Sequence, residues 1–466
     1  MVNADPHRRG PWFSVAFLSS FPRFSIQPSR DAQIEATCWY NPVLASSLTR
    51  NQVRGFWAAW GGWALDGMDS FIYALVMTPA LKELLPASGL PNDKATMGFY
   101  GGLLFALFLV GWGCAFLWGP VADRFGRVRT LMATILWYSL FTFLGAFATN
   151  VWMLAAFRFL AGVGIGGEWT LGGIFVAEEW PEDRRKKGAA YMHTGYYAGT
   201  LLAAILNYTI GAEYGWRAMF AIGGTPALLV AFMRHGVAEP KRWEERMKLV
   251  GKWTARQAFF ALFSPEYRRR TILNSLFLLI SMIGLWAGSV YVPASISELA
   301  VKQGFAGAAV TQLASSGTAV LSIATIFGCL ALPWLAEKFG RRVTLGIYFF
   351  FMFVFIELGF RYFFYQPNGL WGFLVCLFFL GFGGANFSVY TLWLPEQYRT
   401  ECRASAFAFA TSSGRFIAAG VTFLVGAGVS RYGSIGVPVA FTSFAFLIGL
   451  LLLPFGEETK GKDLPA

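Results

Sequence analysis

Charge is scarce in this sequence. Asp, Glu, Lys and Arg together make up 14% of its 466 residues, where a soluble globular chain carries about 25%. Histidine is scarcer still: there are three, far apart, which argues against a metal centre. The five cysteines, Cys38, Cys114, Cys329, Cys376 and Cys402, form no C-x-x-C pair. They read as free thiols, with neither a disulfide framework nor a zinc site. No P-loop or other nucleotide fingerprint is present, which removes an ATP-driven pump. No nucleophile–base constellation stands out in a soluble loop, so no enzyme and no cofactor are expected. What the chain has in quantity is apolar surface: 56% of residues are hydrophobic and 47 are Phe. That balance belongs to a polytopic membrane protein.

A helix needs about 20 apolar residues to cross a bilayer. Such segments recur near 56–82, 98–118, 130–149, 151–177, 188–211 and 216–235, and again near 271–298, 308–335, 343–364, 369–394, 404–429 and 435–455. We number them spans 1 to 12. The expected fold is an all-α membrane protein of twelve transmembrane helices in two six-helix repeats. Residues 1–54 form a cytoplasmic extension, 55–236 the first bundle, 237–270 a charged connector, 271–456 the second bundle and 457–466 a tail. The piece 12-WFSVAFLSSF-21 mimics a signal peptide but is too short and interrupted to span.

The halves repeat each other. The loop after span 2 reads GPVADRFGRVR and that after span 8 PWLAEKFGRRV, aligning Gly126 with Gly340 at an offset of 214. After spans 4 and 10 stand EEWPEDRR and EQYRTECR, aligning Glu178 with Glu396 and Arg185 with Arg403 at 218. Two motifs with near-equal offsets indicate an internal duplication, a known transporter architecture. The net charge of +12 is distributed by side. With the amino end inside, 30 of the 38 Lys and Arg lie in inner segments. The opposite side holds only Lys82, Lys94, Lys302, Arg361 and Arg431. Positive-inside then places both termini in the cytoplasm. The basic charge is thus a topology signal and not a nucleic-acid site.

The loop GPVADRFGRVR resembles the major facilitator superfamily signature G-x-x-x-D-R-x-G-R, and the six-plus-six frame matches. The strings WALDGMDSFIYALVMTPAL, RFLAGVGIGGEW, VAEEWPEDRRKKGAA and GWRAMF resemble the sialate:proton symporter group, which includes sialic acid and monocarboxylate carriers. Aromatic-acid:proton symporters share the D-G-x-D first helix. The sequence departs from the pattern in its long amino tail and in Pro333 and Glu337 of the second signature loop. Arg415 is not a feature of the whole group. The resemblance implies two bundles rocking about a central site. It also implies that Asp123, Arg124, Gly126 and Arg127 make charge contacts at the cytoplasmic helix ends. Glu178, Arg185, Glu396 and Arg403 are expected in the same conformational network.

The chemistry is expected inside the spans. Asp66 and Asp69 stand at i and i+3, on one helix face, in a run otherwise free of charge from Phe56 to Leu81. At 1.5 Å per residue they lie about 15 and 20 Å deep. Ionisable groups at that depth are costly and face a cavity or a partner. They are proton-coupling candidates, as is Glu168 of span 4, whose repeat mate is the neutral Asn386. Arg158 is a candidate charge partner of Asp69. Arg415, about 16 Å into span 11, suits a carboxylate bidentately, or else pairs with Asp66, Asp69, Glu168 or Glu357. Tyr73, Tyr196, Asn274, Asn386 and Tyr390 are expected to join Arg415 at the substrate, and His193 reads as a gate. The function expected is secondary active, proton-coupled symport of a small organic anion: sialate, a lactate-like acid or an aromatic acid. The alternative is a proton-driven antiporter exporting drugs or metabolites. The partners are the anion, protons and the lipid bilayer, with the chain monomeric in the inner (plasma) membrane.

Overall fold

A computed structural model of the protein describes residues 49–118, 127–180, 182–228, 259–462 and 465. Span 1 is the helix Arg50–Ala87. Thr49 starts it with a reciprocal cap: its hydroxyl accepts the Gln52 N–H at 3.3 Å, and the Gln52 side chain accepts the Thr49 N–H at 2.9 Å. Such a cap is worth about 1 kcal/mol. Asp93 caps span 2, Lys94–Gly113, through the Thr96 N–H. Spans 3 and 4 are Arg127–Gly145 and Val151–Glu179, and span 5 begins at Glu182. Gly215, at φ +77°, breaks the helical run Ala212–Ile222 and opens span 6, a left-handed backbone that favours glycine.

Span 7 comes in three pieces: Arg268–Met282, a wide π-turn stretch Ile283–Ser289, and Val292–Lys302. Spans 8 and 9, Ala308–Phe339 and Arg341–Ile356, meet at Gly340. Span 10 bends at Ala385 between Gly369–Gly384 and Asn386–Trp393. Span 11 is Thr400–Tyr432, and span 12 is Gly436–Phe441 followed by Ser443–Leu452. Among the described residues six helices are long and apolar enough to cross a bilayer by length and composition alone. Helices begin earlier than the apolar segments do, at Arg50, Glu182 and Thr400. Hydropathy marks only the hydrocarbon core, whereas a helix can run on into the polar interface, where its charged turns meet water.

Packing follows the duplication. Within the first half, spans 1 and 5, 2 and 4, and 3 and 4 lie together; within the second, 7 and 11, 8 and 10, and 9 and 10 do. Spans 2 and 11, and 5 and 8, join the halves. Hydrogen bonds tie span 5 to the second half: the Asn207 amide donates to Ser315 and Thr200 meets Ser322 at 2.6 Å, both on span 8, and the Tyr197 hydroxyl donates to the Gly384 carbonyl of span 10. Large apolar side chains such as Trp57, Val375, Leu424 and Leu451 stay exposed on the outside, as a lipid-facing surface requires.

Candidate functional site

Asp66 and Asp69 lie fully buried on the inner face of span 1. Span 5 reaches this face closely because Gly67 and Gly199 have no side chain. A Cβ on Gly67 would meet the Tyr196 carbonyl oxygen at 2.0 Å, and one on Gly199 the Ala64 carbonyl oxygen at 1.6 Å. That approach brings Tyr196 beside the aspartates. Arg158 comes from span 4, and its guanidinium stands 3.6 Å from Asp69. It also lies 4.1 Å from the centre of the Phe108 ring and 5.2 Å from that of Tyr73. Aromatic faces supply attraction that a buried cation loses with its water. Tyr73 is fixed in turn by donating its hydroxyl to the Gly101 carbonyl at 3.2 Å.

Arg415, buried in the middle of span 11, sits 4.6 Å from the centre of the Trp112 ring. Asp66 and Tyr196 are within electrostatic reach of it. Tyr196 itself feels Asp66, Asp69 and Arg415 together. Its ring packs on Trp63, with centres 4.9 Å apart. Trp63, Trp112, Trp286, His193, Tyr196 and Phe387 wall a small central pocket onto which Arg415 opens. Its volume is about 20 Å³, little more than one water fills, so in this conformation it has no room for an organic acid.

The other expected residues distribute as follows. Asn386 is buried, next in sequence to the pocket residue Phe387 but not in the pocket lining, and its amide donates to the Gly383 carbonyl. Its Oδ1 atom is buried without a hydrogen-bond partner among the described residues. Tyr390 and Asn274 are not brought to the pocket. The Tyr390 hydroxyl contacts the Phe277 carbonyl and Ser281, and Asn274 donates to Gln397 and Tyr398. Both tie span 7 to span 10. Glu357 lies elsewhere, with Arg361 and Ser443.

At the charge-rich face Glu396 accepts two bonds from Arg341, at 2.9 and 2.6 Å, and one from Thr459. Arg403 donates to the carbonyls of Pro395, Tyr398 and Pro465. Asp123, Arg124 and Gly126 lie outside the described residues, as do the side chains of Arg127, Glu168, Glu178 and Arg185.

Tyr196 and His193 are expected residues found in the pocket wall; Trp63, Trp112, Trp286 and Phe387 are additions. Trp63 could have been found, since it precedes Asp66 by three residues and shares its face. Trp112 and Trp286 carry no such signal, because their partners stand on other spans.

The Major Facilitator Superfamily model matches residues 59–421. The chain belongs to that superfamily. It is therefore a multi-pass membrane transporter. Its twelve-helix fold in two pseudo-repeats is shared with the xylose transporter XylE of E. coli, whose partially occluded inward-open structure superposes with a TM-score of 0.71 at 19% identity, over 89% of this chain and all of that one. Among its relatives is the niacin transporter NiaP of Acinetobacter baylyi, 30% identical over 88% of this chain and 94% of that protein. Another is the sialic acid transporter NanX of Escherichia coli, 26% identical over 66% of this chain and 69% of that protein. The latter fits the resemblance read from the span 1 and span 4 strings.

Proposed function

We propose that this transporter carries a small organic anion together with a proton by alternating access. The carrying observation is Arg415, a buried guanidinium in an aromatic pocket with Asp66 in electrostatic reach. Among the described residues, four side chains that are ordinarily charged at neutral pH share this interior: Asp66, Asp69, Arg158 and Arg415. Fully charged, they sum to zero. An entering carboxylate adds one negative charge in a medium that tolerates little net charge. A proton taken up by Asp66 restores the balance and frees Arg415 to take the substrate carboxylate. Release on the far side reverses both events, so anion and proton move together. Glu168 and Asp69 join the proton path in this scheme. Asn386, Tyr196 and Tyr73 serve the substrate side, while Asn274 and Tyr390 hold spans 7 and 10 in register.

The walls argue for the substrate's shape. Trp63, Trp112 and Trp286 offer flat faces, which suit a flat unsaturated acid better than a hydrated sugar acid. The niacin named for one relative is a flat carboxylic acid. A cationic drug would meet Arg415 at like charge, which disfavours the exporter alternative. With positive-inside topology, both termini face the cytoplasm of the inner membrane, the carrier acts as a monomer, and the direction is import. The charged ends Asp123, Arg124, Gly126, Arg127, Glu178, Arg185, Glu396 and Arg403 govern the conformational change.

The test uses purified protein in liposomes with a pH-sensitive dye inside. Nicotinate, benzoate, lactate, sialate and a neutral sugar are added separately, and passive entry into empty liposomes is subtracted. Protein-dependent acidification with nicotinate or benzoate, lost in Arg415→Gln, is expected. Correctly inserted protein that responds to none of the acids would end the anion reading.

A further inference from the structure

A second cavity lies apart from the central pocket. It is a vestibule of about 870 Å³ that opens on the charge-poor face, a volume in the range of small-molecule sites. Its deeper wall is apolar, with Met77 and Pro79 of span 1 and Tyr291 of span 7. Its rim carries Lys82 and Lys94 from the first half, and Glu298 and Lys302 from the second. The Lys94 ammonium lies 2.9 Å from Oε1 of Glu298, and the Lys302 ammonium lies 3.2 Å from the same atom. Two cations thus share one carboxylate oxygen, and Lys82 adds a third positive charge to the rim. Asp93, the acid preceding Lys94, is turned away to cap its own helix through Thr96.

The vestibule is separate from the central site. Along span 2, Gly98 lines the vestibule and Trp112 the central pocket, about 21 Å apart at 1.5 Å per residue. Phe105 lies between them, packed on Trp286 at 5.5 Å and on Tyr73 at 6.0 Å. A substrate entering from this face meets the lysines well before Arg415.

We propose that the vestibule is a first binding site for the transported carboxylate, with Glu298 as its built-in substitute. The incoming carboxylate replaces Glu298 on Lys94 and Lys302, one carboxylate for another. Each ammonium has three donors, so both lysines can hold the incoming carboxylate, and the displaced Glu298, at this partly exposed rim, is taken up by water. Lys94 belongs to the first half and Glu298 to the second, so the same exchange unties a contact between the halves. Anion arrival is thereby linked to the loosening of this face. The inference rests on the anion reading of the central site.

The experiment measures uptake kinetics of radiolabelled nicotinate in proteoliposomes, with melting temperatures to confirm folding. In Lys94→Gln/Lys302→Gln the KM should rise about tenfold while the maximal rate stays within about twofold. Both sites lie in series, and the second is intact. Glu298→Gln removes the competitor and should lower the KM. Lys94→Arg should retain near-normal kinetics. Lys82→Gln, at the same rim but not on Glu298, should change the KM less than about twofold. Equilibrium binding should give two sites per chain in the wild type, and one each in the double lysine variant and in Arg415→Gln.

An unchanged KM in the double lysine variant would overturn the proposal. So would an equal effect of Lys82→Gln, which would mean a diffuse field and no site. Changes in maximal rate alone would leave Glu298 a mechanical latch and overturn it too. Wild-type protein that transports none of the acids would remove the central anion reading, and this inference with it, an outcome distinct from the other three.

Discussion

Spans 1 and 7 hold equivalent places in the duplicated frame, yet they carry different side chains. Each packs against the fifth span of its own half. The repeat offset of 214 to 218 sets Asp66 against Ile280 to Gly284, and Asp69 against Ile283 to Ala287. Where span 1 runs on as an unbroken helix carrying two carboxylates, span 7 opens into the π stretch and carries Trp286. Such widened turns are frequent at functional sites. The cations are divided in the same manner. At the 218 offset, Arg158 is matched by Cys376, and Arg415 by Tyr197. Duplication has kept the packing, which depends on shape, and has let each half specialise its charges: two acids with Arg158 in the first, and Arg415 in the second, while both halves supply tryptophans to the pocket wall.

The largest effect should come from erasing the acids of span 1. Asp66→Asn/Asp69→Asn should abolish pH-driven uptake. Of the single changes, Asp69→Asn should also destabilise the protein by about 3–5 kcal/mol, because it leaves Arg158 buried without its counter-charge. Asp66→Asn should melt closer to the wild type. Uptake under an imposed pH gradient and thermal melting in detergent separate the two, and equal melting temperatures for the single variants would argue against the assigned pairing.

Next in size is the cation of the second half. Arg415→Gln should weaken binding of a carboxylate by about 2–5 kcal/mol, which is about 30-fold to several-thousand-fold in Kd. Binding of a neutral amide analogue should change little. A loss common to both ligands would mean that Arg415 only supports the pocket.

Smaller effects test whether the halves are mirrored at the charge-rich face. Arg341 is the repeat mate of Arg127, as Glu396 is of Glu178. Arg341→Gln removes two bonds to Glu396 and should cost about 1.5–3 kcal/mol. It should also raise the labelling of cysteines placed along spans 5 and 10 on that face. If the halves act alike, Arg127→Gln will do the same; a one-sided result would show that only the second half is clamped by its repeat motif.

The smallest effect concerns the tail. Burial raises the Glu458 carboxyl, but N–H bonds from Arg341, Lys460, Arg342 and Thr459 outweigh it and hold the group below its ordinary range. A depressed carboxylate contributes stability above its unfolded pKa, about 4.3 for glutamate. That contribution is lost as pH falls through the lower folded value. Tail docking should therefore be constant across neutral pH and loosen only under acid conditions. Glu458→Gln should expose the amides of Arg341 and Arg342 to hydrogen exchange at neutral pH, with rates normalised for pH. An unchanged exchange pattern would sink the docking role.

Much of the frame was legible in the chain because its signals are local. Span length, the charge asymmetry of loops and the duplicated motifs all lie within short stretches. The Asp69 partner was also foreseeable in kind, since a buried carboxylate calls for a cation and the spans hold few. Asn274 and Tyr390 show the opposite case. Their residue types suit a substrate site, but each is engaged between spans 7 and 10. The vestibule was hidden for a different reason. Lys82, Lys94 and Lys302 read as sparse topology charges, and the pairing of Lys94 with Glu298 joins segments about 200 residues apart.

By itself, then, the sequence determined that this chain lives in a bilayer as a duplicated bundle of helices with acids and a cation buried at depth. Hydrophobic length and the cost of buried charge act residue by residue, and no partner is needed to read them. Tertiary structure decided which charge faces which, that three tryptophans line one pocket with Arg415, and that two lysines share one glutamate. Those outcomes depend on helix rotation and close approach, set by side-chain packing and by glycines such as Gly199 that let backbones meet, and neither is written in any single segment.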